Sequence, residues 1–414
     1  MNIIFTNQYA YTPYQAASSR HFAFARELIK RGHNVRIISS SFYHKHRKQE
    51  HLHPCRDYLN ANVEDVPFTW LKTPGYRGNI MRIVNMLTYA WRLQSSDGIK
   101  KAARPDLIYA TSPSPFAAMS AITLARKTGA VCIVEVVDLW PDTLIEVGGL
   151  SRWHPVVMLF RWVEKYIYRN ADALVTHLAN ANLHFQSLGA KPEKCFYIPS
   201  PSPFDPIPQP PQPVDNDRLC FAYAGAMGKA NALTDLLKAW VIVLENEPEL
   251  RDRIKLVMIG DGAEKPRLQQ FIHDSGYPQS VEFVDPVPKA EILQHLAETD
   301  VCMATSANHR IYRYGISFNK MFDYMAVAKP VILATNAPNT PVARAKSGIV
   351  IPPENSQRLA IAIMEMARMS SEQRRELGIR GYLELLKSHQ IGTWGDTAEK
   401  LFSRLLQDRL RRND

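Results

Sequence analysis

Short apolar, β-rich runs alternate with helical patterns along this chain, and the whole alternation occurs twice. That order admits few folds. A strand, a helix and a further strand make a βαβ unit, and a succession of them makes a parallel sheet covered on both faces. In the first half, strands are expected at 2–6, 34–39, 106–110, 130–136, 173–176 and 194–198. A helix over 20–31 is stopped by Gly32, and another follows Pro113 and ends at Gly129. In the second half, strands are expected at 218–224, 254–259, 281–283, 301–304, 331–334 and 348–351. Helices are expected there at 232–245, 265–273, 289–297, 317–326, 357–369 and 371–387, with a last basic amphipathic helix over about 396–412.

Between the halves, residues 199–213 hold eight prolines in fifteen positions. Proline fixes φ and lacks an N–H, so neither a helix nor a sheet interior runs through such a stretch, and a semi-rigid extended linker is expected. The organisation read from this is a first Rossmann-like domain over 1–198, a linker over 199–216, a second over 217–387, and a terminal helix over 388–414 that packs back on the first. The fold class is α/β, with two doubly wound domains facing a central cleft. In such sheets ligands bind at the carboxyl ends of the strands, near the topological switch point.

Composition removes other classes. With 46% hydrophobic and 22% charged residues, the chain is neither disordered nor fibrous. No apolar stretch reaches the roughly 18 residues of a membrane-spanning helix. The chain opens on a buried strand without a charged leader, and its five cysteines form no CxxC pair, so a reduced cytoplasmic setting is expected. The net charge is +10, and all the excess sits early: residues 1–200 carry 24 Lys+Arg against 14 Asp+Glu, the rest 26 against 26. A basic face favours an anionic partner such as a phosphorylated substrate, an acidic membrane surface or a nucleic acid, or merely keeps the chain soluble.

Four segments could carry chemistry. After the strand ending at Ala224 comes Gly225-Ala226-Met227-Gly228-Lys229. Glycines let the backbone approach a ligand and a lysine beside them neutralises phosphate, although such a turn also serves plain geometry. The second segment, 301–350, holds six Lys+Arg and one acid, Asp323. Within it Ser317 reads as a helix N-cap, leaving free N–H groups and a positive dipole end for an anion. Lys320 and Asp323 follow three residues apart, suited to a diphosphate and a ribose, or to a simple surface ion pair. The third is Glu135-Val136-Val137-Asp138-Leu139-Trp140-Pro141, where Asp138 follows a strand and either serves a site or caps the next turn. The fourth is Ala16-Ala17-Ser18-Ser19-Arg20-His21, an anion site at a helix start or a bland cap with two surface side chains.

Two signals are discounted. Asp215-Asn216-Asp217 matches a metal-chelating DxD pattern but precedes a strand, within the linker. His44, His46, His51 and His53 lie in a polar, basic stretch read as a mobile loop, of a kind that can cover an acceptor, rather than as a metal site. Two aromatic, basic segments, one from Trp153 to Arg169 and one over 76–92, fit either core packing or a membrane interface.

Together these pieces resemble glycosyltransferase family 4, in the branch of capsule and O-antigen transferases that includes L-fucosamine transferases. The resemblance runs along almost the whole chain. It rests on Ser19-Arg20-His21, Lys30-Arg31-Gly32-His33, Asp138-Leu139-Trp140-Pro141, Gly225 to Lys229, Ile259-Gly260-Asp261-Gly262, Val287-Pro288-Lys289, Asn319 to Ala326 and Lys329-Pro330-Val331-Ile332. It implies the two-domain GT-B fold and metal-independent, retaining transfer of a sugar from a nucleotide-diphosphate sugar, UDP-linked, to a lipid-linked or saccharide acceptor. The catalytic residues it implies are Asp138, Lys229 and Lys320. Arg20, Gly228, Val287, Gly315, Ser317, Asn319 and Asp323 fall to the donor, with Arg20 adding its contact on domain closure. His21 and Trp140 fall to the acceptor side. No cofactor or metal is implied, and the partners are the donor, the acceptor and the inner face of an acidic membrane, not nucleic acid.

This sequence departs from the family pattern in places. The paired glutamates, eight positions apart, fall on Gly315 and Asp323. The opening loop has Ala16-Ala17 for glycines, Val137 stands where the branch often has Arg, and Pro199-Ser200-Pro201 replaces Pro-Asn-Gly. Two other functions fit some of these features: a GT-B sugar-nucleotide epimerase, disfavoured by the acid-poor stretch 301–350, and a non-enzymatic anion- or nucleic-acid-binding protein. The lack of G-x-G-x-x-G after the first strand of either half argues against an NAD-dependent dehydrogenase.

Overall fold

A computed structural model describes the chain except residues 16–18, 45, 54, 101–102, 213–216, 289–290 and 414, and the side chains of 412–413. The opening-loop alanines, Lys289 and most of the DxD match therefore lie outside the described residues. The chain forms two compact units, Met1–Pro203 together with Ile391–Asp414, and Phe204–Gln390.

The first unit holds strands β1 (Asn2–Thr6), β2 (Asn34–Ser40), β3 (Phe42–Tyr43), β4 (Lys48–Gln49), β5 (Tyr58–Val63), β6 (Val66–Leu71), β7 (Leu107–Thr111), β8 (Val131–Glu135), β9 (Ala173–Thr176) and β10 (Cys195–Tyr197). Eight of them form one sheet in the order β10-β9-β8-β7-β1-β2-β6-β5. All pair in parallel except β5, which lies antiparallel on β6 with Tyr58 opposite Leu71. The central strands are apolar on both faces, and β7 and β8 are buried at every residue, as a sheet covered on both sides requires. The helices are α1 (Arg20–Lys30), α2 (Asn79–Ser95), α3 (Asp97–Lys100), α4 (Pro115–Thr128), α5 (Asp142–Glu146), α6 (Pro155–Asn170) and α7 (Ala181–Ser187). Winding reverses between β1 and β7, which pair directly. Their carboxyl ends mark the switch point of this sheet.

The second unit holds β11 (Leu219–Ala224), β12 (Ile254–Ile259), β13 (Val281–Val284), β14 (Val301–Thr305), β15 (Val331–Ala334) and β16 (Gly348–Ile351). Its parallel sheet runs β13-β12-β11-β14-β15-β16, with the switch between β11 and β14. Helices α8 (Leu233–Asn246), α9 (Lys265–Asp274), α10 (Ile292–Ala297), α11 (Lys320–Ala326), α12 (Pro341–Ala345), α13 (Ser356–Arg368) and α14 (Ser371–Ser388) cover it. The last helix, α15 (Ile391–Asn413), returns to the first unit, where Ile391, Trp394, Ala398, Leu401 and Phe402 join its core. Part of the proline-rich stretch is anchored, since Phe204 and Ile207 pack against the core of the second unit.

Three expectations need correction. Helix α11 begins at Lys320, not Ser317; Asn319 stands at the cap position without a side-chain cap bond. The chain stays irregular through Ser317 because Gly315 turns it (φ +121°) and Phe318 is drawn onto the core. The histidine stretch is no simple mobile loop: β3 and β4 pair within it, and His51 stacks on Trp70 at 4.0 Å. Helix α6 is neither wholly core nor wholly interface. It buries Val157, Phe160, Val163 and Ile167 on one face and leaves Met158, Leu159 and Trp162 exposed on the other.

Candidate active site

At the switch point of the second unit, β11 ends in the turn Gly225–Gly228. This turn lies against the turn that follows β12. Gly225 N–H donates to Ile259 C=O at 2.9 Å, and Met227 N–H to Asp261 C=O at 2.7 Å. The approach is close enough to demand glycine. A Cβ on Gly260 (φ +139°) would stand 2.1 Å from the Gly225 carbonyl oxygen. Buried Lys265 fixes the second turn, donating to Gly260 C=O at 3.2 Å and to Asp285 at 2.7 Å. Asp285 opens the segment that carries Val287, which is half-buried against the core.

Lys320, at the start of α11, reaches this turn. Its Nζ donates to Tyr223 Oη and to Asn231 Oδ1, each at 3.0 Å. Tyr223 Oη donates in turn to Ala226 C=O at 2.7 Å, and Asn231 Nδ2 to the same oxygen at 2.9 Å. A closed ring of hydrogen bonds thus ties the ammonium to the glycine turn. The ammonium also lies over the rings of Tyr223 (4.3 Å) and Phe318 (5.5 Å). No carboxylate pairs with it among the described residues, and burial lowers its pKa from 10.5 to about 7. A desolvated cation without an anion, beside a backbone that a ligand can approach, is equipped to receive a negative group.

The other donor-side candidates differ in setting. Lys229 is exposed and, among the described residues, has no hydrogen bond or ion pair. Gly228 (φ −116°) has open space where a Cβ would stand. Asp323 faces inward on a helix that is buried from Met321 to Ala326, so it is not the open surface carboxylate of an ion pair with Lys320. Gly315 is buried, while Ser317 and Asn319 are exposed in the loop before α11.

In the first unit, Arg20 and His21 open α1 at the other switch point. Arg20 pairs with Glu135 at the end of β8, whose side chain is 1% exposed. His21 Nδ1 shares a hydrogen bond with Asn7 at 3.0 Å, its Nε2 one with Thr111 Oγ1 at 2.7 Å, and Nε2 lies 3.4 Å from Glu135. The residues are therefore not the surface pair of a bland cap, and Ser19 makes no side-chain cap bond. Burial alone would raise the Glu135 carboxyl, but Arg20 and then the His21 hydrogen bond bring it down to about 2. His177, just after β9, lies in the same group; burial and the Arg20 charge lower its pKa to about 3, so its ring is neutral. Sequence reasoning missed Glu135 and His177 as site residues, although both directly end or follow parallel strands.

Asp138 does not cap the following turn: α5 starts at Asp142 after Pro141, without a side-chain cap. Among the described residues its carboxyl has no hydrogen bond or ion pair, and desolvation raises its pKa above the ordinary range. Trp140 stands over Phe160 at 5.8 Å, edge to face. Asp142 is held by Arg161, which also bonds Glu164 at 2.8 Å, and His184 closes this strut on Glu164 at 2.7 Å. These bonds hold α5, α6 and α7 in place behind the Asp138 loop.

Comparison with known proteins agrees with the two units. Residues 19–201 match the family described as glycosyl transferase 4-like domain, and residues 218–369 match glycosyl transferases group 1. The chain therefore carries a glycosyl transferase 4-like domain followed by a glycosyl transferases group 1 domain. The chain is similar to a D-inositol 3-phosphate glycosyltransferase of Geodermatophilus obscurus, at 26% identity over 215 residues. The match covers 48% of this chain and 46% of that relative, so the chain spans about half the length of the relative it matches. Its fold is that of the sucrose-phosphate synthase of Thermosynechococcus elongatus, with a TM-score of 0.72 at 13% identity over 99% of this chain and 100% of that one. It is also that of Anabaena HepE in complex with UDP, with a TM-score of 0.69 at 14% identity over 98% and 100%. Among the described residues, no helix is long and apolar enough to cross a membrane.

Proposed function

We propose that the transferase moves a hexosyl or N-acetylhexosaminyl group from a UDP-sugar to a lipid-linked or saccharide acceptor, with retention at the anomeric carbon and without a metal ion. The observation that carries this is Lys320, an ammonium with no carboxylate partner among the described residues, tied to a glycine turn at a switch point. A departing diphosphate places negative charge where such a cation and the turn's amides stand ready. Pre-set electrostatic stabilisation of this kind is typically worth about 10²–10³-fold in turnover per group. Lys229 is the second cation of the site, free to swing onto the ligand. In a same-face mechanism the donor's own phosphate takes the acceptor's proton, and Asp138, its pKa raised, orients the acceptor hydroxyl or relays that proton. The basic first unit fits an anionic acceptor at the inner face of an acidic membrane, the setting of capsule and O-antigen synthesis.

The test is a thermal-shift series with UDP, UDP-sugars, GDP and ADP on the intact chain and on Gly228→Ala. The φ of Gly228 and the open space at its Cβ position leave the variant's fold intact. At about a hundred times its dissociation constant, a ligand adds about 2.7 kcal/mol of stability. UDP and a UDP-sugar should raise the melting temperature of the wild type and act markedly less on Gly228→Ala, whose new methyl occupies diphosphate space. Equal shifts in both proteins, or none with any nucleotide, would sink the reading.

A further inference from the structure

The partners that hold Lys320 are chosen in a way that packing alone does not explain. An ammonium has three N–H donors. Two are spent, on Tyr223 Oη and Asn231 Oδ1, each at 3.0 Å, and the third has no acceptor among the described residues. Both acceptors are neutral. Burial pushes the Tyr223 hydroxyl well above its usual range, so it stays protonated. Burial alone lowers the Lys320 ammonium, with no neighbouring charge contributing. A carboxylate at 231 would hold the ammonium more strongly, and a methionine at 320 would fill similar space without a buried charge. The arrangement keeps the cation in place and leaves its charge unanswered.

The main chain is shaped around this contact. Gly225 (φ +150°) makes room for the ammonium: a Cβ there would stand 3.2 Å from Lys320 Cε and 3.3 Å from its Nζ. Asn231 is fixed through its own backbone. Its N–H donates to Gly228 C=O at 3.0 Å, and its C=O accepts from Thr305 Oγ1 at the end of β14. The carbonyl before it, on Ala230, accepts from Ala307 N–H at 2.9 Å. Ala232, next in the chain, sits at φ +47°, a left-handed conformation that an L side chain rarely adopts. Such strain persists only where the surrounding contacts over-determine it. Here those contacts aim one side chain, Asn231, at one ammonium.

We infer that Asn231, with Tyr223 beside it, is a positioning residue for the transfer: it sets the unspent N–H of Lys320 toward the diphosphate without neutralising the ammonium. The inference rests on the transferase reading and adds to it a residue that acts through Lys320.

The test is calorimetric titration of UDP, uridine and inorganic pyrophosphate into the intact chain and into Asn231→Asp, Asn231→Ala and Tyr223→Phe. It is run at about pH 8.5 in buffers of different ionisation heat, so that proton uptake is read with affinity. Melting temperatures confirm that each variant is folded. Asn231→Asp keeps the shape of the side chain and so separates charge from position. Wild type should take up a proton with UDP. Asn231→Asp, whose carboxylate keeps the ammonium charged beforehand, should take up none and bind UDP about tenfold to a hundredfold more weakly. Asn231→Ala and Tyr223→Phe should still take up the proton and weaken UDP by about tenfold. Uridine, which has no phosphate, should bind every form alike, a result that plain damage to the turn would not give. Unchanged UDP affinity and proton uptake in Asn231→Asp would overturn the positioning role, and so would a matching loss of uridine affinity. Pyrophosphate separates this inference from the reading beneath it. If UDP fails to bind wild type while pyrophosphate binds and weakens in the variants, the donor reading falls and the positioning role stands. If neither binds, both fall.

Discussion

Lys320 shows how a single side chain can be legible in part. Its place next to Asn319 and three residues before Asp323 marked it as a cation of interest. The partners that define its chemistry, Tyr223 and Asn231, are 97 and 89 residues away and carry no local signal. Nor does spacing reveal its burial, which lowers the ammonium pKa from 10.5 to about 7. That shift has two consequences of definite sign. Between about 7 and 10.5 the unfolded chain binds more protons than the folded one, so Lys320 makes stability rise with pH across that window and is most costly below it. A bound diphosphate restores the charge, so UDP binding on the alkaline side of about 7 must take up a proton, and affinity must fall as pH climbs. Calorimetry in buffers of different ionisation heat reads this uptake directly. Lys320→Met should abolish it, weaken UDP by about tenfold to a hundredfold, and leave the variant no less stable at neutral pH. Normal proton uptake in the variant would assign the titration to another group.

At the scale of elements, most of the parallel strands were legible as short apolar runs between helical patterns, and the central ones, Leu107–Thr111 and Val131–Glu135, are buried at every residue. The pair of β5 and β6 was not: Tyr58–Val63 has no fully buried residue and no apolar run, and Val66–Leu71, although parallel to β2 and mostly buried, is interrupted by Pro67 and Thr69. The start of α11 was misplaced because Ser317 has cap chemistry, while the tertiary pull on Phe318 decides where the helix begins. Helix α14 carries a signal of another sort, glycines in its interior. By intrinsic propensity Gly378→Ala should stabilise a helix by about 1 kcal/mol. Here a Cβ at 378 would stand 1.8 Å from the Ala328 carbonyl oxygen, at the turn between α11 and β15. Backbone cannot yield as a flexible side chain does, and overpacking of this kind typically costs about 1–3 kcal/mol. The two effects have opposite signs, so a melt of Gly378→Ala decides between them. A lower melting temperature means that α14 is seated directly on the turn behind α11; a higher one would mean that the helix rides free of it.

At the scale of the molecule, the last helix couples the two ends of the sequence. Trp394 stacks on Phe24 with centroids 3.7 Å apart and planes 6° from parallel. Arg31 donates to Asp396 at 2.7 Å and to Gly392 C=O at 2.9 Å, His33 meets Glu399 at 2.8 Å, and Arg409 donates to Ala130 C=O at 2.6 Å. The exposed ion pairs contribute little each, so the buried aromatic and aliphatic face does most of the holding. The Lys30-Arg31-Gly32-His33 segment was legible as a motif, but its use as the seat for α15 depends on residues more than three hundred positions later, beyond any periodicity in the sequence. Truncating a buried Trp costs about 3–5 kcal/mol, a large share of a unit's stability. A chain ending at Gln390 should therefore lose protection of the amides of α1, β1 and β2 in hydrogen exchange, while the amides of β11 to β15 stay protected and UDP still binds. Trp394→Ala should show the same asymmetry more weakly. The cores of the units predict this difference: α15 supplies five buried residues to the first core and none to the two core clusters of the second. If both units lost protection together on truncation, α15 would be supporting the molecule as a whole, and the second unit could not be treated as an independent holder of the donor.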